Sequence, residues 1–294
     1  MAPAHFKGIF PPSKERMEAA ASGGLGNLFK DSFTLPTLLA LGGLAQGVLS
    51  LVLPARYALL PLLFLLLRSL VATVLAVNSL DAYVAKCGVI PGRTSGQLPN
   101  ASYDGEKSSS PFGTTPSDKE VVVLHLGARF NHPLGLLAPK AKDLGDQFDA
   151  CNADLLERAK EFGCIGATAY RGDDASSHNT IMTIYYFRNL EGLNRFAHDN
   201  IHRRAWDWYN RECLRRGYTH LGIFHEVFVA PAGAYESLYV NMQPTLLAQC
   251  KADVKNESTG TDEVVRTVVD ASSSVWRNQY TRMGRDIKRE HAGN

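Results

Sequence analysis

Asn179–Ala230, NTIMTIYYFRNLEGLNRFAHDNIHRRAWDWYNRECLRRGYTHLGIFHEVFVA, is the stretch on which the fold turns. Asn179–Phe187 predicts a strand, with Thr180, Met182, Ile184 and Tyr186 alternating onto one face. Two helical pieces follow, Leu190–Ala197 and His202–Arg215, the second ended by Gly217. His220–Val229 is apolar and β-rich again, so the chain returns as a strand.

Upstream, Glu120–Ala128 (EVVVLHLGA) predicts another strand. Leu144, Phe148, Leu155, Ala159 and Phe162 recur at three- and four-residue spacings, an amphipathic helix over Leu144–Phe162 stopped by Gly163. Ile165–Arg171 is a strand leading into the turn signal Gly172-Asp173-Asp174. The order strand–helix–strand–strand–helix–strand over 119–245 is the ferredoxin-like α+β plan, an antiparallel sheet with helices on one face. A further short strand, Glu236–Val240, follows the Pro231–Gly233 turn. Small sheets of this kind often pair face to face across a twofold axis. In 246–294, Val264, Val268, Ala271 and Val275 fit a helix face, and Arg285–His291 is a solvated charge run.

Before the domain the composition changes twice. Gly88–Asp118 is rich in Gly, Pro, Ser and Thr and predicts a disordered, exposed linker. Ahead of it, after a polar tail over 1–34, stand two apolar runs, Leu35–Leu53 and Tyr57–Val77, broken by Pro54-Ala55-Arg56. Each matches the hydrocarbon thickness of a bilayer as a helix, so 35–77 is expected to anchor the chain in a membrane, an endomembrane such as the endoplasmic reticulum. Arg68 sits mid-span, where a charge costs about 2.5 to 3.5 kcal/mol. A buried soluble helix pair is the alternative. Lys7, Lys14, Arg16 and Lys30 favour a cytoplasmic N-terminus; two spans then return the domain to the cytosol, and one puts it in the lumen. In the second case the sequons at Asn100 and Asn256 become glycosylation candidates.

The 294 residues carry 31 Lys+Arg against 29 Asp+Glu, a balance that excludes general attraction to nucleic acid. The five cysteines have no CxxC spacing, which argues against a zinc site or a disulfide framework. No nucleotide loop, GxSxG elbow or HExxH is present.

Three groups could carry chemistry. Asn131 and His132, just after the first strand and before Pro133, could place an amide and an imidazole at a cleft mouth, or only satisfy a turn. His202, Trp206 and Tyr209 share a helix face at i, i+4 and i+7, with His198 in the preceding turn; the same pattern serves plain packing. His225 and Glu226 on the last strand point to opposite faces, so they form neither a side-by-side acid–base pair nor a metal site.

NHPLG at 131–135, YYFRNLEGLNRFAHDNIHRRAWDWYN at 185–210, HLGIFHEVFVAPAGAYESLYVNMQP at 220–244 and the apolar leader resemble the fungal antibiotic-biosynthesis-monooxygenase-like family. The resemblance implies a dimeric α+β barrel that oxygenates a small lipophilic secondary metabolite, often with no metal or flavin. Such an oxygenase needs a base, an oxyanion donor and a dry pocket. We expect His202 or His198 as base, His225 as a second candidate and Asn131 as oxyanion donor, with Trp206, Tyr209, Tyr186, His132 and Glu226 contacting a terpenoid or polyketide. Three rivals remain open: redox-neutral cyclisation, isomerisation or dehydration at the same cleft; a histidine-ligated haem; and a non-catalytic, membrane-tethered scaffold.

Overall fold

A computed structural model describes residues 5–14, 33–106, 110–172 and 180–285. It divides into two compact units, Ser22–Val89 and the remainder of the chain. The first holds two long helices, α1 (Leu35–Val52) and α2 (Leu60–Asn78), each with a proline in its first turn, where a missing N–H costs nothing. One helical turn, Ala55–Ala58, joins them, and Gln46 on α1 donates its side-chain amide to the Ala58 carbonyl at 3.0 Å. Neither α1 nor α2 has a buried residue, so the chain itself does not use them as a core. Both are long and apolar enough to cross a membrane.

In the second unit the segment expected as a linker is built into the fold. It carries β1 (Ile90–Gly96) and the short β2 (Ser102–Tyr103). Thr94, Ser95, Gln97, Leu98, Phe112 and Ser117 are buried. Its small polar residues make specific bonds: the Ser117 backbone N–H donates to Gln97 Oε1 at 2.7 Å, and Ser95 Oγ donates to the Ser237 carbonyl at 2.8 Å. Composition alone resembled a tether because the strands that partner this segment lie far downstream in the chain.

The ferredoxin-like plan is present in full: β3 (Val121–Phe130), α3 (Ala141–Glu157) with a final turn Ala159–Phe162, β4 (Cys164–Arg171), β5 (Thr180–Phe187), α4 (Leu190–Ala197), α5 (Asn200–Tyr209) and β6 (Leu221–Ala230). The sheet order is β4-β5-β3-β6, with every pair antiparallel. Gly163 at φ 66° takes the left-handed turn that ends the first helical segment. Asn189 and Asp199 cap α4 and α5 through their side chains. After α5 the helix runs on as one wide π turn, Asn210–Leu214, instead of continuing regularly to Arg215. Of the turn Gly172-Asp173-Asp174, the two aspartates lie outside the described residues.

The two sheet faces differ. Val122, Leu124, Tyr185 and Phe187 face the helices and bury Leu155, Leu156, Phe162, Leu193 and Phe196. Val121, Ile165 and Tyr186 face the other way, under Leu98, Leu247, Cys250 and Ala252. That cover belongs to a β-rich module of β7 (Tyr239–Met242), β8 (Lys251–Asn256), β9 (Thr261–Arg266) and β10 (Val268–Asp270), in the sheets β10-β1-β7 and β2-β8-β9. The helix expected through Val264, Val268, Ala271 and Val275 is therefore replaced. Val264 and Val268 are strand residues, and the run Val264-Val265 and Val268-Val269 is β-branched, which favours the pleated backbone. Of the charge run 285–291, only Arg285 is described. The module also caps one end of the helix-free sheet face, so that face is not wholly open for pairing with a second sheet.

Candidate functional site

The strand register assigns each candidate to a face. His225 pairs with Leu126 and Val227 with Leu124, on the helix side; Glu226 pairs with His125 and Phe224 with Gly127, on the opposite side. On the helix side the layer over β3, β4 and β5 is filled by Phe162, Phe196 and Leu155. The space between sheet and helices is thus filled there by the protein's own side chains. Over the edge strand β6 the cover stops: His225, Val227 and Val229 face the helix side yet are exposed. The helix side along β6, the candidate cleft, is therefore open rather than enclosed.

His202 on α5 lies near enough to His225 on β6 to feel its charge. It is half-buried, with its ring 5.5 Å from the Phe196 ring. Its Nδ1 lies 2.9 Å from the Ala197 carbonyl oxygen, which can only accept, so Nδ1 carries the proton and Nε2 keeps its lone pair. Burial lowers its pKa below the ordinary 6.5, and His225 and His198 push it further down. A neutral imidazole with its proton on Nδ1 is therefore its resting form near neutral pH.

The other candidates separate. His198 is exposed, with Nδ1 donating to the Asn194 carbonyl at 2.7 Å. Trp206 is 49% exposed and stacks on Tyr209 with 6.0 Å between ring centroids. Tyr209 is buried, and its hydroxyl donates to the Leu221 carbonyl at 2.7 Å, so its polar end holds β6 to α5. Tyr186 cannot wall this cleft: it points to the opposite sheet face, among Leu247 and Cys250. Asn131 and His132 lie at the Leu221 end of β6, where the Asn131 N–H donates to the His220 carbonyl. That is about 15 Å along the strand from His225. The Asn131 Oδ1 accepts from Arg129 Nε at 2.9 Å, and the His132 ring lies 5.2 Å from that of His220. Asn131 is thus bonded to Arg129, and it is His132 that takes the local turn role, its Nδ1 accepting from the Leu134 backbone N–H at 3.1 Å.

Glu226 instead belongs with a residue that sequence reasoning passed over. His125 on the central strand has Nδ1 4.0 Å from Glu226 Oε2, and its ring meets Phe228 edge-on at 5.4 Å. The available signal was a lone imidazole in the apolar run EVVVLHLGA, directly across the ladder from a carboxylate. Gly127 leaves room for the Phe224 ring, since a Cβ there would fall 2.5 Å from Phe224 Cζ.

Of the two sequons, Asn256 is buried, and its Nδ2 donates to Glu263 Oε1 at 3.0 Å, so it presents no acceptor in the folded chain. Asn100 is half-buried. Among the described residues no cluster of three His, Cys, Asp or Glu could hold a metal. A crevice of about 240 Å³ lies elsewhere, beside Arg188, Lys160 and Lys255.

The family model Monooxygenase af470-like matches residues 121–247. Monooxygenase af470 of Aspergillus fumigatus is 35% identical over 281 residues, covering 96% of this chain and 98% of that protein. Solved structures give more distant likenesses. An aldoxime dehydratase in complex with butyraldoxime is 17% identical, covers 51% of this chain and 42% of its own, and has a TM-score of 0.37. SnoaB, a cofactor-independent oxygenase from Streptomyces nogalater, is 14% identical, covers 37% of this chain and 91% of its own, and has a TM-score of 0.25. On the full-length relative, the chain belongs to the af470-like monooxygenase family.

Proposed function

We propose that this member of the af470-like monooxygenase family is a membrane-anchored oxygenase that uses His202 as base and the substrate's own electrons to reduce dioxygen. The observation that supports it is the state of His202: neutral, with Nδ1–H fixed on the Ala197 carbonyl and the Nε2 lone pair available at an open cleft. In the proposed reaction Nε2 removes a proton from an acidic C–H of a lipophilic terpenoid or polyketide. The carbanion gives one electron to dioxygen, the radical pair combines to a peroxide, and loss of water leaves a carbonyl. A CH2 and one O2 thereby become a C=O and one H2O, with no outside reductant.

The cleft is open in one chain, whereas a peroxide intermediate requires exclusion of water. A second copy supplies the cover in this reading. The edge strand exposes Val227 and Val229 on the cleft side and Phe224 and Phe228 on the other face, and its outer ladder edge has no paired strand among the described residues. The helices α1 and α2 hold the enzyme at the bilayer in which such a substrate dissolves.

The test is oxygen uptake by the full-length chain in lipid nanodiscs, with anthrone as a probe whose CH2 ionises readily. Uptake without added flavin, metal or nicotinamide is expected, and its loss in His202→Ala. Turnover that persists in the double variant His198→Ala/His202→Ala would point to another base, and no uptake by the native chain would point to the scaffold.

A further inference from the structure

The described residues on either side of the two apolar helices are woven into the same β-rich module. Ahead of it, Gly8 bridges Val269 on β10, and Ser13 bridges Val264 on β9. The Ile9 N–H donates to the Val268 carbonyl at 3.1 Å, and the Ser13 and Val264 backbones exchange bonds of 2.9 and 2.7 Å. The Phe6 side chain is buried against Trp276, with ring centroids 4.8 Å apart. The Phe10 ring lies under the Arg266 guanidinium at 4.4 Å. Beyond the hairpin, β1 pairs with the same β10, placing Ser95 opposite Val269. Val269 is therefore flanked by Gly8 on one edge and Ser95 on the other.

A bilayer cannot pass between neighbouring strands of a folded sheet. The chain between Ser13 and Ile90 must cross the hydrocarbon an even number of times. Among the described residues of that stretch, α1 and α2 are the helices long and apolar enough to cross. The stretch 14–34 carries Lys14, Glu15, Arg16, Glu18, Lys30 and Asp31, and 79–89 carries Asp81 and Lys86. A single-span anchor with the domain on the far side from the N-terminus is incompatible with this fold.

Two observations choose the side. Lys14, Arg16, Lys30 and Lys86 flank the pair, against Arg56 alone at its turn, and basic flanks stay cytosolic. Asn256 heads an Asn-Glu-Ser sequon, yet its side chain is buried and its Nδ2 is bonded to Glu263. A glycan added there during luminal synthesis would have no room in the fold; in the cytosol the tripeptide is never modified.

We infer that α1 and α2 form a hairpin entering and leaving the bilayer from the cytosolic side, with the N-terminal arm and the whole oxygenase-like unit in the cytosol. This would make the partner surface a cytosol-facing leaflet and the substrate one reached from that leaflet. The inference rests on the anchoring reading above, and the two fail differently.

The experiment uses the full-length chain in sealed microsomes, with one epitope tag before Met1 and another after Asn294. Alkaline carbonate should leave the chain in the pellet; its release would end the anchoring reading itself. Added protease should destroy both tags without detergent, and endoglycosidase should leave the mobility unchanged. Retention in the pellet with one tag protected would overturn the hairpin. Protection of both tags, or a glycosidase shift, would overturn the cytosolic side.

Discussion

At the residue scale, the account depends on how His202 titrates. Burial disfavours its imidazolium, so its pKa in the fold lies below the 6.5 of a free histidine. The unfolded chain then takes up a proton first as pH falls through 6.5. Stability is lost on that acid side, and this group contributes nothing above it. Thermal stability is expected to fall less steeply from pH 7 to pH 5 in His202→Phe than in the native chain; identical slopes would contradict the shift. For activity, His202→Ala should lower kcat about 10²- to 10⁴-fold, the usual worth of a general base, with KM little changed. His198→Ala, removing an exposed ring, should cost much less in the same assay. None of this was legible in the helix-face spacing alone. His202, Trp206 and Tyr209 do share a face, but their environments diverge because the face runs from the filled core to the edge of the sheet.

The elements were more readable than the residues. All four strands of the sheet and the helices between them follow from periodicity and glycine stops, because each element carries its own pattern. The segments 88–118 and 246–285 were not legible for the opposite reason. The strands of 88–118 find their partners far away, β1 on β7 and β10 and β2 on β8, whereas in 246–285 the local β8–β9 hairpin was missed because its valines also fit a helix face. Tyr186 illustrates the same limit within a legible strand: alternation gives two faces but not which one the helices cover. A paired substitution tests the helix packing. In Gly192→Ala the new Cβ would fall 2.0 Å from the Phe162 carbonyl oxygen, forcing α4 off the preceding turn. Gly145 lies within α3, and a methyl group added there would meet nothing within 4 Å, so Gly145→Ala should stabilise by about 0.5 to 1 kcal/mol. Denaturant titration should move the two midpoints in opposite directions; a shared direction would contradict the packing.

At the scale of the whole molecule, the β-rich module and the edge strand change how such a domain can assemble. The module occupies one end of the helix-free sheet face, and β6 leaves its apolar strip exposed. Val227→Lys places a charge on the exposed strip at its helix side, where the cleft lies. If a second copy covers the cleft, sedimentation should shift from dimer to monomer and oxygen uptake should fall together. A dimer that survives the substitution would move the interface elsewhere. Uptake that survives in the monomer would show that the open cleft needs no cover.

The most direct measurement is isotopic. Full-length protein in nanodiscs is given anthrone under ¹⁸O2 in ordinary water, with no reductant or cofactor added. The account predicts one ¹⁸O in the new carbonyl at early times and the second in water, both lost in His202→Ala. Product oxygen drawn from water instead, or label incorporated equally well by His202→Ala, would contradict it.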